Sequence, residues 1–215
     1  MPFVKKIEVE NGIIGIWEIT ESADSLIFVF NFSEDEKTEF QKFKGEKRKK
    51  EYLITRLLLQ HLSNEKTEIT YQKSGRPQLK NSSKHISISH SAEFVAIFIS
   101  NDFAGIDVEN IHRNIDRVTK RFLHQEELAW IEKSDNRQIS KMICWCAKEA
   151  IFKCSCIDGV QFDKQIFIPR FEIGKTDFFS GKLITANGEE NYNLWYFHFG
   201  NNMIVYCVEV KNKMR

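Results

Sequence analysis

The apolar run at residues 94–99 constrains the fold of this chain more than any other segment. Its β-branched and aromatic side chains occupy both alternating positions, a pattern typical of a central strand that is covered on both faces. The segment just before it, 85–89, alternates between polar and apolar residues and predicts a half-buried strand with Ile86 and Ile88 facing the core. The chain must therefore place a strand inside a sheet that has layers on both sides.

Strand and helix patterns follow one another along the rest of the chain. Ser33 and Glu36 are spaced as in a capping box and predict the start of a helix. The predicted helices are 34–62, in two pieces around Gly45, then 115–133 and 137–155. The further predicted strands are 13–19, 26–32, 104–109, 162–171, 178–184 and a terminal hairpin of 191–199 and 203–210.

Both halves of the chain contain strands together with one or two long helices. The turn at Asn101-Asp102 separates them. We therefore predict an α+β fold, in a pseudo-twofold arrangement of two similar α+β halves, with boundaries at residues 1–101 and 102–215.

The composition excludes several classes of protein. The chain has 215 residues, of which 42% are hydrophobic, and a net charge of +1, so it can bury a core but shows no general attraction to nucleic acid or membranes. Its apolar runs are too short to cross a bilayer, and residues 1–12 lack the apolar core of a signal peptide. The odd number of cysteines, five, favours free thiols. We expect a cytoplasmic protein that binds neither nucleic acid nor a membrane.

The cysteines also offer two C-x-C pairs, at 144–146 and 154–156, which raises the question of zinc. Residues two apart on a helix point about 200° apart, so Cys144 and Cys146 are poorly placed to chelate one ion. We favour packing over metal binding for these thiols.

Asp107 and Glu109 are the first candidates for chemistry. Positions two apart on a strand point to the same side, so both carboxylates project together while Ile106 and Val108 face the core. Two nearby carboxylates repel unless a cation or a shared proton offsets the repulsion, and Mg²⁺ prefers such oxygen ligands. Taken alone, the pair is a weak signal and is more typical of acids on a surface strand.

A second charged group lies on the helix predicted at 137–155. Glu149 and Lys153 are four apart and share a face, which by itself predicts an ordinary ion pair. The apolar stretch 142–147 indicates that this helix is largely buried, and burying charges is costly unless they are paired or bound to metal. We therefore predict that Glu149 meets Asp107 and Glu109 at one metal ion.

Two polar segments in the first half are candidate phosphate contacts. Segment 42–56 is rich in lysine and arginine, including Arg48 and Arg56, and is either a solvated helix face or a phosphate-binding patch. Ser89 and His90 follow a strand and supply further donors. A Ser-His hydrolase is disfavoured, because neighbours on an extended chain point apart and the chain has no G-x-S-x-G elbow.

These residues resemble the motifs of the Sfp-type 4′-phosphopantetheinyl transferases. Gly75-Arg76-Pro77 is similar to the first block of that family, and segment 86–91, ISISHS, to the second, with Ile86 and Ser87 in place of Phe and Asn. Segment 105–109, GIDVE, and the spacing Trp145-x-x-Lys148-Glu149-x-x-x-Lys153 resemble the last two blocks.

The resemblance implies that the two halves share the active site, with coenzyme A binding mainly to the first half and metal binding and catalysis in the second. It implies Mg²⁺ ligands, which are Asp107, Glu109 and Glu149. It implies contacts to coenzyme A, which are Arg48, Arg56, Gly75, Arg76, Pro77, Ser89, His90, Asp107 and Lys153. Among these, Arg76 with its neighbours would line the adenine side, and Arg48 would reach the 3′-phosphate. The implied catalytic residues are Glu149, Lys153 and Lys148, with the choice of general base between Glu149 and Lys148 left open.

The implied activity is that of a 4′-phosphopantetheinyl transferase of the holo-[acyl-carrier-protein] synthase type. It transfers phosphopantetheine from coenzyme A to a serine of an apo acyl or peptidyl carrier protein, and 3′,5′-ADP leaves. We expect a monomer, because both halves belong to one chain. Two alternatives remain: a binding module that holds coenzyme A or a carrier protein without chemistry, and a metal-dependent phosphodiesterase that uses water as the nucleophile.

Overall fold

The structure is a computed structural model that describes residues 3–63 and 67–211. Its strands are β1 (Phe3–Val9), β2 (Gly12–Glu18), β3 (Ile69–Tyr71), β4 (Pro77–Leu79), β5 (His85–His90), β6 (Phe94–Ser100), β7 (Ala104–Asn110), β8 (Ile166–Phe167), β9 (Phe178–Thr185), β10 (Gly188–Phe199) and β11 (Asn202–Glu209). Its helices are α1 (Ala23–Val29), α2 (Glu34–Phe40), α3 (Glu46–Leu62), α4 (Thr119–Phe122), α5 (Gln125–Ile131), α6 (Arg137–Ser155) and α7 (Phe162–Gln165). In these two ranges no helix is both long and apolar enough to span a membrane.

The strands form two larger antiparallel sheets and a small ribbon. The first sheet has the order β1-β2-β6-β5, the second β7-β11-β10-β9-β8, and β3 pairs with β4. Helix α3 packs on the first sheet and helix α6 on the second. The predicted α+β fold class, with a sheet and a long helix in each half, is confirmed.

Strand β6 shows why its sequence is apolar on both faces. Val95 and Ile97 belong to the core under α3, whereas Phe94, Ala96 and Phe98 belong to a second core that also contains residues of β7 and β11. The two sheets therefore pack face to face, and each carries its long helix on the outside. The prediction of a central strand is confirmed.

The seam between the sheets lies where β5 and β7, an edge strand from each, run side by side. Ser87 Oγ accepts the backbone N–H of Ile106 at 3.0 Å, and Ser89 Oγ accepts that of Val108 at 3.2 Å. Both serines are buried. The prediction of a half-buried β5 was wrong, because its polar face supplies partners to the free edge of β7 instead of facing water.

Three other predicted elements differ from the structure. Segment 26–32, predicted as a strand, is largely helix α1, because Ser22 accepts the N–H of Ser25 and starts a helix that buries Leu26. The helix predicted at 115–133 is divided into α4 and α5, because His124 caps α5 in a capping box and interrupts the turn before it.

The strand predicted at 162–171 is mostly absent: α7 takes its beginning, and only β8 is strand. The carbonyls of Phe162 and Ile166 accept hydrogen bonds from the buried side chain of Lys148. In a longer strand these carbonyls would accept backbone N–H groups of a neighbouring strand. The capping box at Ser33, the break around Gly45, helix α6 and the terminal hairpin are confirmed.

Candidate active site

The second half brings β7 and α6 unusually close together. A Cβ added at Gly105 would lie 1.8 Å from the carbonyl oxygen of Ala150, so only glycine allows this contact. The close approach sets Asp107 on β7 against the face of α6 that carries Lys153. The predicted juxtaposition of these two segments is present in the structure.

Asp107 lies at the centre of the site and is almost fully buried. Its Oδ1 accepts hydrogen bonds from Ser89 Oγ and from Lys153 Nζ, each at 2.8 Å. Lys153 Nζ also donates to the carbonyl of Ile106 at 2.9 Å. Asp107 Oδ2 is buried and has no hydrogen-bond partner among the described residues. One oxygen of this carboxylate thus remains open for a ligand.

Glu109 projects from the same side of β7, as predicted. Its Oε1 accepts a hydrogen bond from Trp145 Nε1 at 3.0 Å and pairs with the guanidinium of Arg113. Burial, together with the charge of Asp107, raises the pKa of Glu109 despite the opposing effect of Arg113. Glu109 is therefore held by two side chains that no sequence pattern connected with it.

Glu149 lies on α6, one turn before Lys153. It forms no hydrogen bond or ion pair with the residues that the structure describes. Burial, and after it the charge of Asp107, raises the pKa of Glu149 to about 7. A carboxyl group with this pKa can accept a proton near neutral pH.

The three carboxylates influence one another electrostatically, but they do not surround a common point. Within residues 3–63 and 67–211, no group of three His, Cys, Asp or Glu side chains could hold a metal ion as it stands. The chemistry of the donors nevertheless fits a hard divalent cation, because Asp107 has an open buried oxygen and Glu149 lacks a partner. The magnesium ion itself stays a prediction.

Lys148 is not brought to these carboxylates. It is fully buried, and its Nζ contacts Glu127 Oε2 at 2.6 Å and the carbonyls of Phe162 and Ile166 at 2.9 and 2.6 Å. Burial lowers the pKa of Lys148, and the charge of Glu127 opposes the shift. This placement ties α6 to α5 and β8.

Ser89 and His90 point in opposite directions, as expected for neighbours on a strand. Ser89 faces Asp107, whereas His90 Nε2 lies 3.2 Å from Thr55 Oγ1 on α3. Burial lowers the pKa of His90 to about 4, so the ring is neutral at pH 7. His90 can therefore donate a hydrogen bond to a phosphate but does not add a positive charge.

The two arginines of α3 differ in their environment. The Arg56 side chain is only 3% exposed, pairs with Glu36 at 3.3 Å and Glu39 at 3.0 Å, and lies 3.3 Å from the ring centre of Tyr52. Its guanidinium is thus paired with two carboxylates, and Arg56 lines the same cavity as His90. Arg48 is largely exposed and pairs with Glu51. It borders a cavity of about 300 Å³ that His90 and Gly75 also line.

Gly75, Arg76 and Pro77 lie between the two halves. Gly75 has a φ of +84°, a left-handed conformation that glycine adopts readily. Arg76 Nη2 donates to the carbonyl of Lys153 at 3.0 Å and so connects the first half to the end of α6. A cavity of about 310 Å³ opens here, lined by Arg76, Pro77, Ser87, Phe152 and Lys153 among others. Residues from both halves thus form one cleft beside Asp107.

Comparison with known proteins shows a similarity that is confined largely to the second half. Residues 104–207 match the family model of the 4′-phosphopantetheinyl transferase superfamily. The match covers 104 of the 215 residues, just under half of the chain. The superfamily match begins with β7 and runs through α6 into β11, so it contains Asp107, Glu109, Glu149 and Lys153.

Two curated proteins are similar to the chain. The 4′-phosphopantetheinyl transferase gsp of Aneurinibacillus migulanus is 35% identical over 107 residues, which are 48% of this chain and 45% of that protein. A protein of Haemophilus influenzae, to which the same transferase name is provisionally given, is 28% identical over 93 residues, or 40% of each chain. The matches therefore span less than half the length of these two relatives.

Sequence reasoning missed three polar residues that hold the superfamily motifs in place, namely Arg113, Glu127 and Thr55. Arg113 is four residues after Glu109, but that spacing indicates contact only on a helix, and this segment is a strand end and a turn. The spacing of His124 and Glu127 is that of a capping box, which could have placed Glu127 at a helix start but not beside Lys148.

Proposed function

We propose that this protein transfers the 4′-phosphopantetheine group of coenzyme A to a serine of an apo acyl or peptidyl carrier protein, in a magnesium-dependent reaction that releases 3′,5′-ADP. The observation that carries the proposal is the position of Lys153, which lines a cleft formed by both halves and pairs with the buried carboxylate of Asp107 at 2.8 Å. The superfamily match over residues 104–207 supports it.

Asp107, Glu109 and Glu149 would hold the magnesium ion. When bound, Mg²⁺ would supply charge neutralisation for the pyrophosphate of coenzyme A. The chain offers three carboxylates for this purpose and an open buried oxygen on Asp107. The proposed metal-binding and catalytic role of residues 102–215 rests on this set.

Glu149 is the general base that we favour. It would take the proton from the serine hydroxyl as that oxygen attacks the β-phosphate, the phosphoanhydride bond breaks, and 3′,5′-ADP leaves with the bonding electrons. Without a cation the pKa of Glu149 is about 7, and a cation held by the three carboxylates would lower it and so keep Glu149 ionised and able to accept the proton. Lys148 is a poor candidate for proton transfer, because its Nζ is fully buried and engaged by Glu127 and two backbone carbonyls.

The remaining residues would bind coenzyme A. Lys153, which already neutralises Asp107, would contact the phosphates, and Ser89 and the neutral His90 would add hydrogen bonds. Arg76, Gly75 and Pro77 would line the adenine side, because they border the cleft. Residues 1–101 would thus mainly bind coenzyme A.

Arg48 is the arginine of α3 that we propose for the 3′-phosphate, since it is exposed at the edge of the cavity near His90. Arg56 would support this region by packing α3 against α2. We further propose that the protein acts as a monomer in the cytoplasm. One chain supplies both sides of the cleft, and its cysteines are unpaired, which suits a reducing compartment.

Mass spectrometry of an apo carrier protein tests the proposal against its alternatives. The carrier is incubated with coenzyme A, Mg²⁺ and this protein, and the intact mass is measured together with the small-molecule products. We expect a gain of one phosphopantetheine group on the carrier serine and stoichiometric 3′,5′-ADP. Glu149→Gln should abolish the gain while the protein stays folded.

Each alternative predicts a different product. A phosphodiesterase would release free phosphopantetheine from coenzyme A without any carrier protein. A binding module would retain coenzyme A and would leave both the carrier protein and coenzyme A chemically unchanged. Either outcome, obtained with several acyl and peptidyl carrier proteins, would refute the transferase proposal.

A further inference from the structure

Arg113 is a basic residue at the site to which neither the motifs nor the proposed chemistry gives a role. It lies in the turn after β7, where its guanidinium pairs with Glu109 and sits 5.4 Å from the ring centre of Trp145. Gln138 Nε2 on α6 donates to the carbonyl of Arg113 at 3.1 Å, which fixes the backbone of the turn. The side chain is 46% exposed. Its backbone is anchored, but its guanidinium can move into solvent.

The charges around the site are unevenly matched. Lys153 neutralises Asp107, Arg113 neutralises Glu109, and Glu149 has no partner among the described residues. Two internal cations therefore serve three carboxylates. Lys153 is anchored further by the carbonyl of Ile106, whereas Arg113 rests only on the face of Trp145 beyond its ion pair. Of the two cations, Arg113 is the one that can leave at low cost.

We propose that Arg113 is a positioning residue that holds Glu109 while the site lacks a divalent cation, and that must release Glu109 when the cation binds. Arg113 thereby competes with the cation and weakens its binding. The inference rests on the proposed function, because it takes Asp107, Glu109 and Glu149 as the metal ligands. The structure has the held arrangement, in which Glu109 contacts both Arg113 and Trp145.

The charge of Arg113, not its shape alone, is what the inference requires. Arg113→Gln removes the competing cation and leaves a side chain of moderate length. Arg113→Lys retains the charge. Arg170→Gln is a matched control, because Arg170 is also an exposed arginine but its charge acts on Glu172 and not on the acidic site.

Binding of Mn²⁺, measured by electron paramagnetic resonance of the free ion in the absence of coenzyme A, tests the inference. The measurement is made at pH 8.5, where Glu149 is ionised. Arg113→Gln should tighten Mn²⁺ binding by roughly two- to fivefold, the effect that a half-exposed ion pair can exert. The affinity of Arg113→Lys for Mn²⁺ should be closer to that of the wild type than to that of Arg113→Gln. The affinity of Arg170→Gln should equal that of the wild type. Thermal unfolding of each variant confirms that it is folded.

The outcomes separate this inference from the proposed function. If Arg113→Gln binds Mn²⁺ as weakly as the wild type or more weakly, or if Arg113→Lys tightens binding as much as Arg113→Gln does, the inference is wrong although the metal site stands. If the wild type does not bind Mn²⁺, or if Asp107→Asn binds it as well as the wild type does, both the metal site and the inference are wrong. If the expected order holds but no carrier protein is modified, the inference stands and the transferase proposal falls.

Discussion

Replacing Lys148 by methionine should destabilise the protein by about 3–5 kcal/mol, the usual effect of breaking a buried ion pair by removing one partner. Lys148 and Glu127 are both fully buried, with 2.6 Å between Nζ and Oε2. The variant leaves the Glu127 carboxylate without its counter-ion in the core. It also leaves the carbonyls of Phe162 and Ile166 without the donor that they share.

The size of this effect follows from what remains around Glu127. Its oxygens still accept hydrogen bonds from the backbone N–H groups of His124 and Ile168, each at 2.7 Å. These hydrogen bonds continue to stabilise part of the negative charge of Glu127. Because of these two hydrogen bonds, we expect the free energy of unfolding to fall by the amount usual for a broken buried ion pair. The full cost of burying an isolated charge would be larger. Methionine has a similar length and fills most of the space, so a cavity adds little.

Urea denaturation at pH 7, followed by tryptophan fluorescence, measures the loss, and the thermal midpoint should fall by roughly 10 °C in a chain of this length. Lys141→Met is the matched control on the same helix, because Lys141 pairs with the exposed Asp116 and should lose at most about 1 kcal/mol. A Lys148→Met variant that unfolds within 1 kcal/mol of the wild type would refute the reasoning.

A double variant separates structure from chemistry. Lys148→Met combined with Glu127→Leu removes the unpaired charge and should recover much of the stability that Lys148→Met loses. If Lys148 only supports the fold, transfer activity per folded molecule should recover with stability. Recovered stability without recovered activity would indicate that Lys148 takes part in proton transfer after all.

Two further predictions concern the first half and the contact between β7 and α6. The folded-state pKa of His90, about 4, lies below its ordinary value, so the stabilisation from the neutral ring is complete above about pH 6.5 and is lost as the pH falls toward 4. Between pH 7.5 and 5 the wild type should lose about 2 kcal/mol more than His90→Gln in urea denaturation; equal losses would contradict the assignment. Gly105→Ala should cost at least about 1–3 kcal/mol, because the added methyl group meets the backbone of Ala150 and forces β7 away from α6. Transfer activity should fall with it, and an active variant of unchanged stability would show that the contact does not align the site.

The errors of prediction share a physical cause. Segment 26–32 has β-branched and aromatic residues, yet a serine cap and the burial of Leu26 make most of it helical. Ser87 alternates with apolar neighbours as a solvent-facing residue would, yet it lies against the edge of β7. In both cases the deciding partner lies outside the segment: the cap is the nearby Ser22, whereas the partner of Ser87 is the distant strand β7.

The sequence by itself determined the elements that carry the chemistry and the order of the motifs on them. Alternation along β7 and the helical period along α6 are local properties, so they place Asp107 with Glu109, and Glu149 with Lys153, before any packing is known. Only the tertiary structure decided which charge meets which. Lys148 turns to Glu127 because of how α6 packs on α5, and this distance depends on packing between elements, which no spacing along the chain encodes.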